Sequence, residues 1–198
     1  MGDSDSDKSL VDIPHYGKLS VAPKTSAALL VVFGGIDVHG VRSGIYMWKY
    51  MDGIKDRFHI FVAVSNTVNG DDAYRALKKA LDEKGLAPST QILYLFSGGW
   101  RPGVSVLRAG GRTLFSSICL VDIWMGVSKH SGSTSPDFYR ALAKEYGPKI
   151  TYVYTKFGAN NSAARDYIAG KAGNALLVEG SGMSTHMSTN TAAVRLLP

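Results

Sequence analysis

Gln91-Ile92-Leu93-Tyr94-Leu95-Phe96-Ser97-Gly98-Gly99-Trp100 is the stretch on which the fold of this chain turns. The run from Ile92 to Phe96 is apolar on both alternating sets of positions and bounded by turn signals. That pattern predicts a short strand buried on both faces, as in a parallel sheet. The run stops at Ser97, and Gly98 and Gly99 permit a tight turn with close backbone approach. A segment able to form a helix then runs from Trp100 to Ala109, with Pro102 placed where a first helical turn tolerates it. In an open α/β sheet, a serine at the carboxyl end of a strand stands where ligands bind.

Strand, serine, glycine turn and helix in that order are the parts of a nucleophile elbow, in which a strained turn lifts a hydroxyl above the sheet. The elbow pattern is G-x-S-x-G, and here it reads Leu95-Phe96-Ser97-Gly98-Gly99. Gly99 meets the pattern, whereas Leu95 replaces the upstream small residue and is expected to crowd the turn. Ten residues also fit an ordinary strand end with a helix-capping serine, so the order of the surrounding elements decides.

Outward from this stretch, apolar runs predict strands at residues 27–33, 58–64, 92–96, 114–122, 150–155 and 175–178. Helical spacing predicts helices at 43–54, 71–84 and 100–109, one opening at Ser135-Pro136-Asp137 and closing at Gly147, one at 162–169, and a terminal one at 190–197. Between the last strand and the last helix, Gly180 to His186 is rich in Gly, Ser and Thr and reads as a loop. Residues 1–25 read as a flexible tail and an irregular lead-in, with at most a short edge strand near Lys18 to Val21. Strands alternating with helices imply a single α/β domain over residues 26–198: a mostly parallel, doubly wound sheet of about six strands with helices on both faces.

A chain of 198 residues with 45% hydrophobic content suits one domain with a sizeable core. No apolar run reaches the length of a membrane span, and the N-terminal residues lack the apolar core of a secretory signal. A cytoplasmic protein, or a secreted one whose leader has been removed, fits both observations. The net charge of +6 permits attraction to anions or nucleic acid. However, the Lys and Arg residues are scattered, without a basic run or RNA-motif spacing, which makes nucleic acid the weaker alternative. Cys119, the one cysteine, sits in an apolar run and reads as a buried small hydrophobe. Asp37 and His39 have no third ligand at motif spacing, so neither a metal nor any other cofactor is expected.

The groups able to do chemistry all follow strands and so gather on one rim. Ser97 follows the third expected strand, Asp122 ends the fourth and His186 follows the sixth. In this Ser, Asp, His order the chain resembles the α/β-hydrolase superfamily, in a compact form similar to cutinases and small esterases, over residues 27–198. The resemblance implies a serine hydrolase acting on a small-molecule or lipid-like acyl substrate. Ser97 would be the nucleophile, His186 the base and Asp122 the acid that orients the imidazole. It also implies an oxyanion hole from the N–H of Gly98 and one from Gly35 or Ile36.

Many members place the acid after the strand that precedes the histidine strand. Here that loop, Phe157-Gly158-Ala159-Asn160-Asn161, has no carboxylate, which leaves Asn160 as a neutral alternative to Asp122. The family's antiparallel N-terminal strands are expected to be missing or reduced. Two other readings stand beside this one: a non-catalytic ligand- or protein-binding module on the same fold, which Leu95 favours, and a basic anion- or nucleic-acid-binding domain using the glycine loops. The substrate and the oligomeric state are not readable from these residues.

Overall fold

The structure, a computed structural model, describes residues 10–35, 41–109, 114–123, 136–156, 162–180 and 182–198. Its strands are β1 (Leu10–Ile13), β2 (Gly17–Ser20), β3 (Ala28–Phe33), β4 (Phe58–Ala63), β5 (Gln91–Phe96), β6 (Ser117–Val121), β7 (Ile150–Tyr154) and β8 (Asn174–Leu177). The helices are α1 (Ser43–Met51), α2 (Gly70–Glu83), α3 (Trp100–Ala109), α4 (Pro136–Tyr146), α5 (Ser162–Ala169) and α6 (Met183–Arg195). All eight strands form one sheet in the order β1-β2-β4-β3-β5-β6-β7-β8. From β4 through β8 every neighbouring pair is parallel, whereas β1 pairs with β2, and β2 with β4, antiparallel.

The chain is thus a doubly wound α/β domain with eight strands among the described residues rather than the expected six. The two additional strands lie in the lead-in expected to be irregular, where the short edge strand near Lys18 to Val21 corresponds to β2. They supply the antiparallel edge that the sequence pattern had suggested was missing or reduced. These four-residue strands carry too few apolar positions to announce themselves, and their pairing with each other and with β4 holds them in the sheet.

Strand order explains the layers. From β3 the chain crosses through α1 to β4 on one side, then returns through α2 to β5 on the other side of β3 and continues outward to β8. Right-handed crossovers in opposite directions put their helices on opposite faces. Accordingly, Leu77 of α2, Leu107 of α3, Leu142 of α4 and Ile168 of α5 pack with Val31, Phe33, Leu93 and Leu95 on one face. Met47 and Met51 of α1 and Ala193 of α6 pack with Leu30, Val32, Tyr94 and Phe96 on the other. Because β3 and β5 are neighbours whose onward connections diverge, their carboxyl ends form a topological switch point, where sheets of this kind open a crevice.

Candidate active site

Ser97 occupies that switch point. It opens a single 3₁₀ turn, Ser97–Gly99, directly between β5 and α3. Its φ is +50°, in the left-handed region that a serine rarely enters. Such a conformation costs on the order of 1–3 kcal/mol and persists only where the surroundings enforce it. Packing enforces it here. A side chain at Gly99 would begin 2.1 Å from the Phe33 carbonyl oxygen, so the turn lies directly against the end of β3.

Leu95, expected to crowd the turn, is accommodated from the opposite side. Gly103 of α3 presents bare backbone to it, and a carbon added there would lie 2.4 Å from Leu95 Cδ2. The small residue that the elbow pattern wants before the serine is therefore supplied after it, on the helix.

Asp122 follows β6 with φ at +41° and is buried. Thr155, just beyond β7, holds its carboxylate. The Thr155 N–H donates to Oδ1 at 2.8 Å, and the Thr155 hydroxyl approaches Oδ1 at 3.0 Å and Oδ2 at 2.8 Å. His186 completes this set, with Nδ1 at 2.5 Å from Asp122 Oδ2. A carboxylate can only accept, so the proton of this bond sits on Nδ1.

The expected loop through His186 is replaced by helix: α6 begins at Met183, not near residue 190, and ends at Arg195. His186, Asn190, Ala193 and Leu197 are buried at helical spacing along one side. Tyr94 of β5 donates its hydroxyl to Asn190 Oδ1 at 2.8 Å, and Phe96 stacks on the His186 ring with centroids 4.7 Å apart. The stripe went unread because its first two members are polar and carry no hydrophobic signal.

Gly35 lies beside Ser97. A carbon built on it would be 3.1 Å from Ser97 Cβ, 3.2 Å from Phe96 Cε1 and 3.0 Å from the Tyr46 hydroxyl oxygen. Gly98 is buried within the turn. Ile36, the other expected oxyanion contributor, lies outside the described residues, as do Asp37, His39, His130 and Asn160.

Two neighbours of the site escaped the sequence reading. Thr155 was assigned only to a strand end, and Tyr46 was passed over beside the methionine stripe of α1. His59 lies far from this rim and serves the fold: it accepts the Ala22 N–H at Nδ1 and meets the Thr25 carbonyl through Nε2. Cys119 is buried in β6 as expected, and burial pushes its thiol far up from the usual range.

Among the described residues no cluster of three His, Cys, Asp or Glu side chains is arranged to hold a metal. No helix among them is long and apolar enough to cross a membrane. A groove of about 770 Å³ runs between the β1–β2 hairpin and α1, walled by Ile45 and Trp48, and neither Ser97 nor His186 is among its described lining.

No protein-family model matches the chain, and no curated protein matches its sequence. Solved structures do resemble it. The esterase domain of a Rhodothermus marinus protein is 10% identical with a TM-score of 0.57, over 90% of this chain and 90% of that one. LpqC, a poly(3-hydroxybutyrate) depolymerase from Bordetella parapertussis, is 13% identical with a TM-score of 0.55, over 89% of this chain and 83% of that one. XC6422 from Xanthomonas campestris, described as a serine hydrolase without a lid, is 12% identical with a TM-score of 0.53, over 96% and 94%. At such identities the likeness is one of fold: this chain has the α/β-hydrolase fold.

Proposed function

We propose that the protein is a serine hydrolase that cleaves an ester or related acyl bond through an acyl-enzyme. Ser97 is the nucleophile, His186 the general base and Asp122 the acid that orients the imidazole. The observation that carries this reading is the buried contact of 2.5 Å between His186 Nδ1 and Asp122 Oδ2, on the rim where Ser97 is held at positive φ. The esterases and the depolymerase that share the fold support an acyl substrate, small or lipid-like.

A serine hydroxyl attacks poorly until a base takes its proton. Nε2 of His186 receives the Ser97 proton as Oγ bonds to the acyl carbon, and the carbonyl π pair moves onto oxygen. Asp122 stabilises the imidazolium by charge and hydrogen bond and does not take the proton itself. The Gly98 N–H, with a second donor from Gly35 or Ile36, meets the oxyanion. The oxyanion then collapses, the bond to the leaving alcohol breaks, and the alcohol oxygen takes the proton from Nε2. Water repeats the sequence on the acyl-enzyme, giving its proton to His186 and its oxygen to the acyl carbon. Ser97 leaves with the proton returned and the free acid is released.

Labelling with a broad serine-directed phosphonate, followed by peptide mapping, tests the reading. Ser97 is expected to be the labelled residue, and Ser97→Ala to remain folded while losing turnover of an activated ester. Labelling or turnover that survives in Ser97→Ala overturns the assignment and moves the nucleophile elsewhere, whereas a wild-type protein that shows neither leaves the fold as a binding scaffold.

A further inference from the structure

We infer that the Tyr46 hydroxyl is a catalytic hydrogen-bond donor to the oxyanion formed at Ser97. This inference rests on the serine-hydrolase reading above and extends it to a residue on a different element. Three groups from two parts of the chain converge on one side of the Gly35 α-carbon. β5 and the turn after it bring Phe96 Cε1 and Ser97 Cβ, while the first turns of α1 bring Tyr46 Oη. Measured from the point where a Gly35 side chain would begin, these lie at 3.2, 3.1 and 3.0 Å. All three separations are tighter than ordinary carbon contacts, so a side chain at position 35 would crowd the phenol, the ring and the serine together.

The chemistry of the three groups differs in a useful way. The serine brings the reacting oxygen. The phenylalanine ring gives the gap an apolar wall, which strengthens any hydrogen bond made inside it. The phenol is an uncharged group that donates one O–H. A neutral donor suits an oxygen that gains negative charge only as Ser97 attacks, because it pays no penalty for being near that oxygen beforehand. Oxyanion donors act when they stand 2.7–3.1 Å from where the charge develops, and that charge develops on an oxygen bonded to the carbon Ser97 attacks.

α1 is suited to hold the donor still. Its Met47 and Met51 are fully buried in the core on this face, and Tyr46 packs partly buried against the same core. A phenol on a docked helix loses little freedom when it makes the bond, which is the preorganisation such a donor needs.

Tyr46→Phe deletes the one oxygen and keeps the ring. On p-nitrophenyl acetate, kcat is expected to fall by about 10²-fold, the low end for loss of one oxyanion donor, with KM changed by less than about threefold. Phosphonate labelling of Ser97 is expected to slow in parallel, because that reaction also places negative charge on an oxygen beside the serine. The melting temperature is expected to stay close to wild type. Gly35→Ala, which wedges a methyl between the two side chains, is expected to lower kcat and the labelling rate in the same way. An unchanged kcat in Tyr46→Phe, or an effect on KM alone, overturns the inference while loss of activity in Ser97→Ala leaves the serine-hydrolase reading intact. Activity that survives in Ser97→Ala defeats the underlying reading whatever Tyr46→Phe does.

Discussion

Thr155→Val tests whether Asp122 is held as a buried carboxylate. Asp122 is 1% exposed, so whatever satisfies its charge must come from the protein. Its donors among the described residues are the Thr155 N–H at 2.8 Å, the Thr155 hydroxyl shared between both oxygens at 3.0 and 2.8 Å, and His186. Valine replaces the hydroxyl by a methyl of similar volume, keeps the β-branched shape and leaves the backbone donor in place. What is lost is one shared hydrogen bond to a charged group, worth about 1.5–3 kcal/mol. Both residues are buried, so no discount for solvent applies. For a chain of this size about 2–4 °C accompanies each kcal/mol, which puts the expected fall in melting temperature at roughly 3–12 °C. Thr155→Ser restores the donor and removes only a methyl, with an expected loss of about 1 kcal/mol. Thermal melts and urea titrations of the three proteins should therefore rank wild type above Ser and Ser above Val. Turnover of Thr155→Val is expected to lie between wild type and Asp122→Asn, because the backbone bond still aims the carboxylate. A Val variant that melts at or above the Ser variant would show that Asp122 does not draw on this hydroxyl, and the account of it as a charged, protein-solvated acid would fall.

Two further outcomes concern packing and pH. Gly103→Ala adds a carbon 2.4 Å from Leu95 Cδ2, so overpacking of about 1–3 kcal/mol should outweigh the helix-propensity gain of up to about 1 kcal/mol. In a Leu95→Ala background the same change should become neutral or stabilising, and a urea double-mutant cycle that comes out additive would refute the contact. Burial raises the Cys119 thiol, so the unfolded chain loses this proton first as pH rises. The stability it contributes is complete below the free thiol value of about 8.5 and declines above it, by roughly 1.4 kcal/mol per pH unit. Urea midpoints of wild type and Cys119→Ala should accordingly converge from pH 8 to pH 10, and parallel pH profiles would refute the assignment.

The parts of the fold that could be read from sequence are those with a strong period. β3 and β5 are apolar throughout, and the stripe of Tyr74, Leu77 and Leu81 on α2 repeats at helical spacing, so these three elements were placed to within a residue or so. β1 was missed, and β2 was foreseen only as a short edge strand near Lys18 to Val21, because each has just four residues and is held by pairing across the sheet. The positions of Ser97 and Asp122 at strand ends were readable from element order alone. The neighbours that shape their surroundings were not. Thr155 matters because β7 lies beside β6, Tyr46 because α1 packs over the rim, and Gly103 because a helix turns back on Leu95. Each is a relation between residues that no local motif records, and Leu95 in particular looked like a defect until its helix partner was in view.

The same distinction explains how the candidate nucleophile and base are kept in register. Ser97 and His186 are 89 positions apart, which local sequence cannot connect. The connection is β5. Its residues alternate between faces, so Tyr94 and Phe96 both point toward α6 while the strand gives way to the turn at Ser97. Tyr94 pins Asn190, and Phe96 stacks on His186 one helical turn before it. One strand thus carries the serine and, within three residues, both contacts that set the rotation of the histidine helix about its axis. Asp122 arrives from the next strand, whose register with β5 is set by the pairs Leu95 with Leu120 and Phe96 with Val121. Placing the histidine on a helix instead of a loop makes its position depend on this packing, so side-chain contacts buried in the sheet, and not the flanking glycines and serines, determine the geometry of the rim.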